Sequence, residues 1–257
     1  MDFQREDHML KCHKLDEIEA VAKALEEYAR AAGPGREEDF RKVFYKDAVM
    51  NSLFADGSKI LGPIQNLYDR RNRIGAFDGD CAFQVDVLDI AGDIALGRVV
   101  MRDYGGMDFV DFHELHKESG KWLIYAKVST QTSGDHLPSL IDYNDVKQTL
   151  VNYAEAAIPG TEALFRAAFH EGAAMNGWFL DGLSILGPIQ NLYDRRNKLG
   201  AFDGKCLYRV DVLGLARDIA AARVVMQDYA GKDFVDFHEL IKDNGKWQII
   251  AKIFVEC

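Results

Sequence analysis

The sequence predicts two α+β domains in tandem, each with its helices on one face of a curved, mainly antiparallel sheet. The main observation is a repeat: the segment ILGPIQNLYDRRN at positions 60–72 recurs letter for letter at 185–197, a shift of 125 positions. A period of this length is too long for a solenoid repeat, which runs roughly 20–50 residues. It matches the length of a whole small domain. Within each copy, helical periodicity is followed by closely spaced strand patterns separated by glycine turns. This order is typical of an antiparallel meander with segregated helices.

The repeat divides the chain into a first domain at 1–130, a linker at 131–142 and a second domain at 143–257. The linker stretch QTSGDHLPSLID is mostly polar and contains a proline. Such a composition is typical of a short flexible connection.

Three helices are predicted in each copy. In the first copy, residues 15–32 carry apolar residues at helical spacing and end at Gly33-Pro34-Gly35. A short helix is predicted over 37–45, and a third begins at Gly62-Pro63, with proline in its first position. The corresponding segments of the second copy are 146–157, 164–170 and 188–199.

Alternating and β-branched segments predict the strands. In the first copy they cover 49–55, 59–61, 81–90, 94–104, 108–117 and 122–130. In the second copy the four meander strands fall between 206 and 255. Each copy therefore reads as helix, helix, two strands, helix and a four-stranded meander.

Composition excludes several classes of function. A net charge of −10 and a pI near 5.2 argue against binding to nucleic acid, which depends on clustered basic residues. No apolar run reaches the roughly 18 residues of a membrane span, and the N-terminus has no apolar signal-peptide centre. The four cysteines form no C-x-x-C pair, which favours reduced thiols in a cytoplasm. Phosphate loops and metal-ligand motifs are absent, so no cofactor or metal is expected.

Three groups of residues in the meander resemble those of a known superfamily, and each group has an equivalent in the second copy. They are Gly92-Asp93-Ile94-Ala95, then Asp111-Phe112 followed by Leu115 and Lys117, and finally Gly120-Lys121-Trp122 followed by Ile124 and Lys127. With this element order, the chain resembles the nuclear transport factor 2-like superfamily, and within it the lumazine-binding-like branch, in two tandem copies.

The resemblance implies a cone in each half: three helices packed on a strongly bent sheet, with a pocket at the open end. Members of the superfamily include cofactor-free isomerases, dehydratases and cyclases as well as binding and transport proteins. It therefore implies a small-molecule-binding protein with a pocket in each cone, and admits a cofactor-independent acid–base enzyme. The alternative is a non-catalytic ligand-binding or protein-interaction scaffold, since fold alone does not determine function.

The candidate catalytic residues are an aspartate and a histidine two positions apart on one strand, Asp111 and His113, repeated as Asp236 and His238. Alternation places each pair on one strand face. If that face lines the pocket, burial shifts their pKa values and suits them to proton transfer. The alternative is that the aspartate anchors a neighbouring group and the histidine is a core residue.

The candidate ligand-binding residues are two tyrosines and one arginine in each copy: Tyr68, Arg71 and Tyr104, with Tyr193, Arg196 and Tyr229. Tyr104 is placed on the same strand face as Arg98 and offers a phenol to a substrate oxygen. Tyr68 is most simply a core aromatic whose hydroxyl reaches the pocket rim. Arg71 is a cap or salt-bridge residue unless the pocket binds an acidic ligand. Arg98 is expected to form an ion pair across the sheet, for example with Asp111. Arg70 is assigned to the solvated helix face.

The expected ligand is a small apolar or partly acidic metabolite, with no nucleic-acid or membrane partner. Superfamily members commonly pair through the outer sheet face, so the two copies are expected to form an intramolecular pseudo-dimer in a monomeric chain. The outward residues Val110, Phe112, Leu123 and Tyr125 are the predicted contact surface.

Overall fold

The structure is a computed structural model that describes residues 15–77, 81–132, 139–158, 160–202 and 206–257. Half of the predicted linker, at 133–138, and Cys12 lie outside these residues. Within them, no helix is long and apolar enough to cross a membrane.

Both halves contain the same elements in the same order. The first half has α1 (Leu15–Ala32), α2 (Glu37–Phe40), β1 (Phe44–Leu53), β2 (Lys59–Ile60), α3 (Gln65–Ile74), β3 (Ala82–Ala91), β4 (Ile94–Arg102), β5 (Asp108–Glu118) and β6 (Lys121–Thr132). The second half has α4 (Leu140–Ala157), α5 (Glu162–Ala168), β7 (Phe169–Trp178), β8 (Ser184–Pro188), α6 (Gln190–Leu199), β9 (Leu207–Ala216), β10 (Ile219–Tyr229), β11 (Lys232–Asp243) and β12 (Lys246–Glu256).

Several element boundaries differ from the prediction. The helix expected over 37–45 ends at Phe40, because Phe44 joins the sheet opposite Ile124. The third helix begins at Gln65, since Pro63 forms an isolated bridge with Val49. Strand β6 and helix α4 also extend into the range predicted as linker.

Each half is built on one six-stranded sheet. The strand orders are β2-β1-β6-β5-β4-β3 and β8-β7-β12-β11-β10-β9. All neighbouring strands are antiparallel except β1 with β6 and β7 with β12, which are parallel. Register shifts interrupt the β5–β6 and β11–β12 ladders, and such bulges bend a sheet. The fold is therefore α+β, with one bent, mainly antiparallel sheet in each half.

A separate apolar core fills the concave side of each sheet. Helix α1 buries a stripe that includes Val21, Leu25 and Tyr28 against β3, β4 and β6, and α4 does the same in the second half. Each fully buried large apolar side chain contributes roughly 1.5–3 kcal/mol to folding. Each half thus has its own core, and its long helix forms one wall of the cone.

A third apolar cluster lies between the two sheets and draws on both halves. It contains Phe112 and Tyr125 from the first half and Phe237 and Ile250 from the second, all buried. The partly buried side chains packed against it include Val110 and Leu123. Equivalent surfaces meet here.

Two equivalent glutamates, Glu114 and Glu239, are fully buried in this contact. No side chain in the described part of the chain bonds to their carboxyl oxygens. Burial and then mutual repulsion raise the pKa of Glu114 well above its usual range, and burial does the same for the pKa of Glu239. The charge of Lys252 opposes the rise for Glu114, and that of Lys127 opposes it for Glu239. Facing backbone amides add a smaller opposing contribution. The contact therefore favours protonated carboxyls.

The apolar centre of the contact is shared, but its rim is not. Arg223 of the second half binds Asp89 of the first at 2.6 Å, and the position equivalent to Asp89 is Gly214. His116 stacks on Trp178 at 3.5 Å between ring centroids. Two aliphatic residues, Ile241 and Leu53, occupy the equivalent positions.

Candidate functional site

The candidate site lies on the concave face of the central strands. Asp111 and His113 lie on this face of β5, opposite Ser129 and Lys127 of β6. In the second half, Asp236 and His238 lie opposite Phe254 and Lys252. A carboxylate, an imidazole and an ammonium group therefore face the interior of each cone.

The carboxylate has the same two partners in both halves. Tyr28 donates to Asp111 with 2.6 Å between oxygens, and Lys127 Nζ lies 3.3 Å from the same oxygen.

In the second half the donor is Tyr153, also at 2.6 Å, and the ammonium of Lys252 lies 3.1 Å from Asp236. Each tyrosine comes from the long helix, so α1 and α4 position the group.

Burial determines the protonation of these groups. It raises the pKa of Asp111 and Asp236, while the neighbouring lysine and tyrosine oppose the shift. The pKa values of Tyr28 and Tyr153 are raised well above the usual range by burial and by the carboxylate they bind, so both phenols stay protonated. A carboxyl group with a raised pKa is suited to proton transfer near neutral pH.

The two predicted histidines lie on the same face but do not line the cavities. The ring of His113 is edge-on to Tyr28, with 4.6 Å between centroids, and His238 is edge-on to Tyr153 at 4.9 Å. Neither ring nitrogen of either histidine has a hydrogen-bond partner among the described residues. Burial lowers their pKa values well below the usual range, so the imidazoles are neutral.

Tyr104 and Tyr229 line the cavities, and burial raises the pKa of each to about 12. The prediction that Tyr104 shares a strand face with Arg98 is wrong. Strand β4 ends at Arg102, and Asp103 has φ 58°, which breaks the alternation. Arg98 instead pairs with Asp86, with 2.8 Å between nitrogen and oxygen, and not with Asp111.

Arg71 and Arg196 line the cavity walls, and their guanidinium groups also donate hydrogen bonds to nearby backbone carbonyls. Arg71 donates to the carbonyl of Gly33 at 3.3 Å and lies over Phe77. Its guanidinium occupies the space where a side chain at Gly35 would begin, and Gly35 has φ 65°. Arg196 occupies the same place in the second half and bonds to the carbonyls of Ala157 and Gly200.

Tyr68 and Tyr193 are buried outside the cavity linings, beneath the guanidinium groups of Arg41 and Arg166. The solvated-face assignment of Arg70 does not hold: this side chain lines the first cavity and lies 4.5 Å from the ring centroid of Phe54. Arg195 does the same in the second half.

The cavities differ in size. The first encloses about 40 Å³ and the second about 240 Å³. Two hydroxyl groups, of Ser52 and Ser129, lie 2.5 Å apart in the first cavity wall. The equivalent positions in the second half hold Gly177 and Phe254.

Comparison with known proteins identifies the family. Residues 16–129 and 142–255 each match the family described as "Putative lumazine-binding". The chain belongs to this family, as two tandem members. Among the described residues there is no group of three or more side chains arranged to hold a metal ion.

Individual relatives resemble one half of the chain. Aldolase FrzH from Cladobotryum sp. is 30% identical over 114 residues, which are 44% of this chain and 90% of the relative. A nuclear transport factor 2-like protein of unknown function from Shewanella baltica is 25% identical, covers 48% of this chain and 98% of its own, and has a TM-score of 0.44. One from Methylobacillus flagellatus is 32% identical, covers 47% and 95%, and also has a TM-score of 0.44.

The site contains residues that the sequence interpretation did not assign to it: Lys127, Lys252, Tyr28 and Tyr153. The lysines carry a readable signal, because each interrupts an apolar strand, as in WLIYAKVST. Folding the meander back at Ser119-Gly120 places Lys127 opposite Phe112, and the register shift between Glu114 and Leu115 moves it by one residue to its observed partner, His113. The tyrosines carry only a helical spacing, which indicates burial and not what the hydroxyl binds.

Proposed function

We propose that the second cone binds a small, mostly apolar molecule with a carbonyl group and moves a proton next to that carbonyl. The observation that carries this proposal is the carboxyl of Asp236, held by Tyr153 and Lys252 in a cavity of about 240 Å³. A predominantly apolar pocket with a few convergent polar groups is the usual form of a small-molecule site.

The roles follow from position and protonation. Asp236 is the base that takes a proton from the carbon beside the carbonyl, and Tyr153 holds it in place. Tyr229, which remains protonated, donates to the carbonyl oxygen as negative charge develops there. This step is common to aldol additions, isomerisations and dehydrations. Similarity to an aldolase supports the aldol class among them.

Charge around the cavity supports a partly acidic ligand. Arg195, Arg196 and Lys232 line it together with Lys252, against the single carboxylate of Asp236. A carboxylate on the substrate, pointing toward the mouth, would find these cations. The apolar remainder would lie against aromatic side chains such as Phe179 and Phe234.

The first cone has a different role in this proposal. It retains the carboxylate, tyrosine and lysine, but about 40 Å³ holds little more than a water molecule. We assign it to stabilising the pair of halves. We also propose that the third apolar cluster replaces the contact between two separate chains, so that the protein is a monomer. Light scattering during size-exclusion chromatography tests this, and a mass of twice 28.9 kDa would contradict it.

Isotope exchange tests the catalytic proposal. Benzylacetone, an aromatic ketone, is incubated with the protein in D₂O, and loss of the α-proton signals is followed by NMR. We expect exchange above background that is lost in Asp236→Asn and retained in the matched variant Asp111→Asn. Binding of benzylacetone is measured separately by saturation transfer. Failure to bind, or exchange that survives Asp236→Asn, would overturn the proposal.

A further inference from the structure

The second cavity contains an ammonium group in unusually apolar surroundings. The side chain of Lys252 is 5% exposed and lines the cavity beside Asp236. Its nitrogen lies 4.2 Å from the ring centroid of Phe254 and 5.2 Å from that of Tyr153. Among the described residues, Asp236 is the one carboxylate within ion-pair distance of the Lys252 nitrogen.

These surroundings increase the fraction of Lys252 that is present as the neutral amine. Burial lowers the pKa of Lys252, although the attraction of Asp236 opposes the shift. The same burial raises the pKa of Asp236. Both effects move the shared proton from the amine toward the carboxyl. A desolvated lysine with a lowered pKa is a nucleophile toward carbonyl carbon.

The first half shows what makes the second different. Ser129 faces Asp111 there, whereas Phe254 faces Asp236. The ring of Phe254 fits because Gly177 has no side chain: a Cβ there would lie 1.8 Å from the ring. The paired change from two serines to glycine and phenylalanine thus gives Lys252 its aromatic neighbour.

We propose that Lys252 forms a Schiff base with the carbonyl carbon of the molecule bound in the second cavity. This rests on the proposed function, which supplies a carbonyl compound. The neutral amine attacks the carbonyl carbon, and a carbon–nitrogen bond forms. The oxygen takes two protons, one from the nitrogen and one from the carboxyl of Asp236, and leaves as water. The products are an iminium ion and a carboxylate, and no oxidant or reductant is needed.

The iminium explains why a base and an amine share one cavity. Its positive charge withdraws electrons from the adjacent carbon and makes the α-proton easier to remove. Asp236, now a carboxylate beside the iminium nitrogen, is placed to accept that proton. Lys252 is then the covalent catalyst, and hydrolysis of the iminium restores the amine.

Reductive trapping tests the inference on the full chain. Benzylacetone and sodium cyanoborohydride convert an iminium to a stable secondary amine, which mass spectrometry locates after digestion. We expect one dominant adduct, on Lys252 of the unmodified sequence, that is lost in Lys252→Arg and unchanged in the matched variant Lys127→Arg. Mapping in the unmodified sequence decides the site even if Lys252→Arg does not fold.

The pH dependence of trapping separates Lys252 from surface lysines. The neutral fraction of an amine at a given pH rises about tenfold for each unit by which its pKa falls. Labelling of Lys252 at pH 7 should therefore exceed labelling of any surface lysine. An adduct confined to surface lysines, or no adduct, would overturn the inference. If benzylacetone still binds and still exchanges its α-protons through Asp236, the Schiff base alone is wrong; if it does not bind, the proposed function fails as well.

Discussion

Asp111 in the first half and Asp236 in the second accept the same hydrogen bond from a helical tyrosine, but the residue opposite them differs. Ser129 faces the first carboxylate and Phe254 faces the second. The halves thus keep the charged group and change its surroundings. This separates two roles that a single domain would combine: the carboxylate–lysine pair is part of the fold, and the enlarged apolar cavity is what the second copy adds.

The largest expected effect tests whether the residue opposite each buried aspartate changes the stability that its lysine partner provides. Replacing Lys252 by Met leaves Asp236 buried without its cation, and loss of one partner of a buried pair costs about 3–5 kcal/mol. Lys127→Met should cost less, because the residue opposite Asp111 is the polar Ser129, whereas the residue opposite Asp236 is the apolar Phe254. Urea unfolding at pH 8 measures both free energies of unfolding.

The same pair of variants has an internal control. A buried carboxyl that has lost its cation escapes part of the cost by binding a proton, so the loss from Lys252→Met should be smaller at pH 5 than at pH 8. Adding Asp236→Asn should recover much of the stability. Equal losses in the two halves would show that Ser129 and Phe254 do not distinguish them.

The buried glutamates test what the halves have in common. The folded-state pKa values of Glu114 and Glu239 lie above the unfolded value of about 4.3. The folded state therefore holds extra protons above that pH, and stability falls as pH rises from about 4.3 through the folded-state values.

Replacing both glutamates by Met should remove their part of this pH dependence. The raised pKa values of Asp111 and Asp236 leave a fall in the same direction. At pH 8 the double replacement should also stabilise the protein, on the order of 1–4 kcal/mol, as apolar replacements of buried charges often do. Thermal unfolding between pH 4 and pH 8 measures the effect. A double variant whose stability falls as steeply as that of the unmodified protein would place the titrating groups elsewhere.

The fold was predictable because the repeat and the turn residues can be recognised directly in the sequence. The turn residues Gly92-Asp93 and Ser119-Gly120 mark where the strands of the meander begin and end. The residues that resemble the superfamily indicate which α+β fold the meander belongs to. Tyr104 was placed on the wrong face because a single positive φ, at Asp103, breaks the alternation. A residue with positive φ cannot be recognised from the local sequence pattern when it is not glycine.

The site was only partly predictable, for a different reason. Asp111 and His113 share a face, as strand alternation requires, but only the carboxylate reaches the cavity. Tyr28 of α1 contributes to this, because its ring lies against His113 while its hydroxyl binds Asp111. Helix packing of this kind is not encoded in the spacing of one strand. That Asp236 acts on a substrate remains a prediction, and Asp111, beside the smaller cavity, is assigned a structural role in the proposal.

A smaller effect is expected at the edge of the contact between the halves. Phe112 of the first half packs on Gly214, where a Cβ would lie 2.6 Å from the ring. Gly214→Ala should therefore cost about 1–3 kcal/mol through overpacking. Asp89→Ala alters the equivalent position of the first half and is the matched comparison. A neutral Gly214→Ala would mean that Phe112 shifts freely and the contact is looser than described.

The smallest effect concerns the polar rim, where the two halves have diverged. Arg223 binds Asp89 across the contact and Asp211 within its own sheet, both at 2.8 Å or less. These groups are partly exposed, and such ion pairs are worth about 0.2–1 kcal/mol. Asp89→Asn should thus lower the free energy of unfolding by no more than this amount, because Arg223 keeps Asp211. The loss should shrink further in 1 M salt, where charges are screened over roughly 3 Å. Urea unfolding with and without salt measures both quantities. A loss of several kcal/mol would show that the rim, and not the shared apolar centre, holds the two halves together.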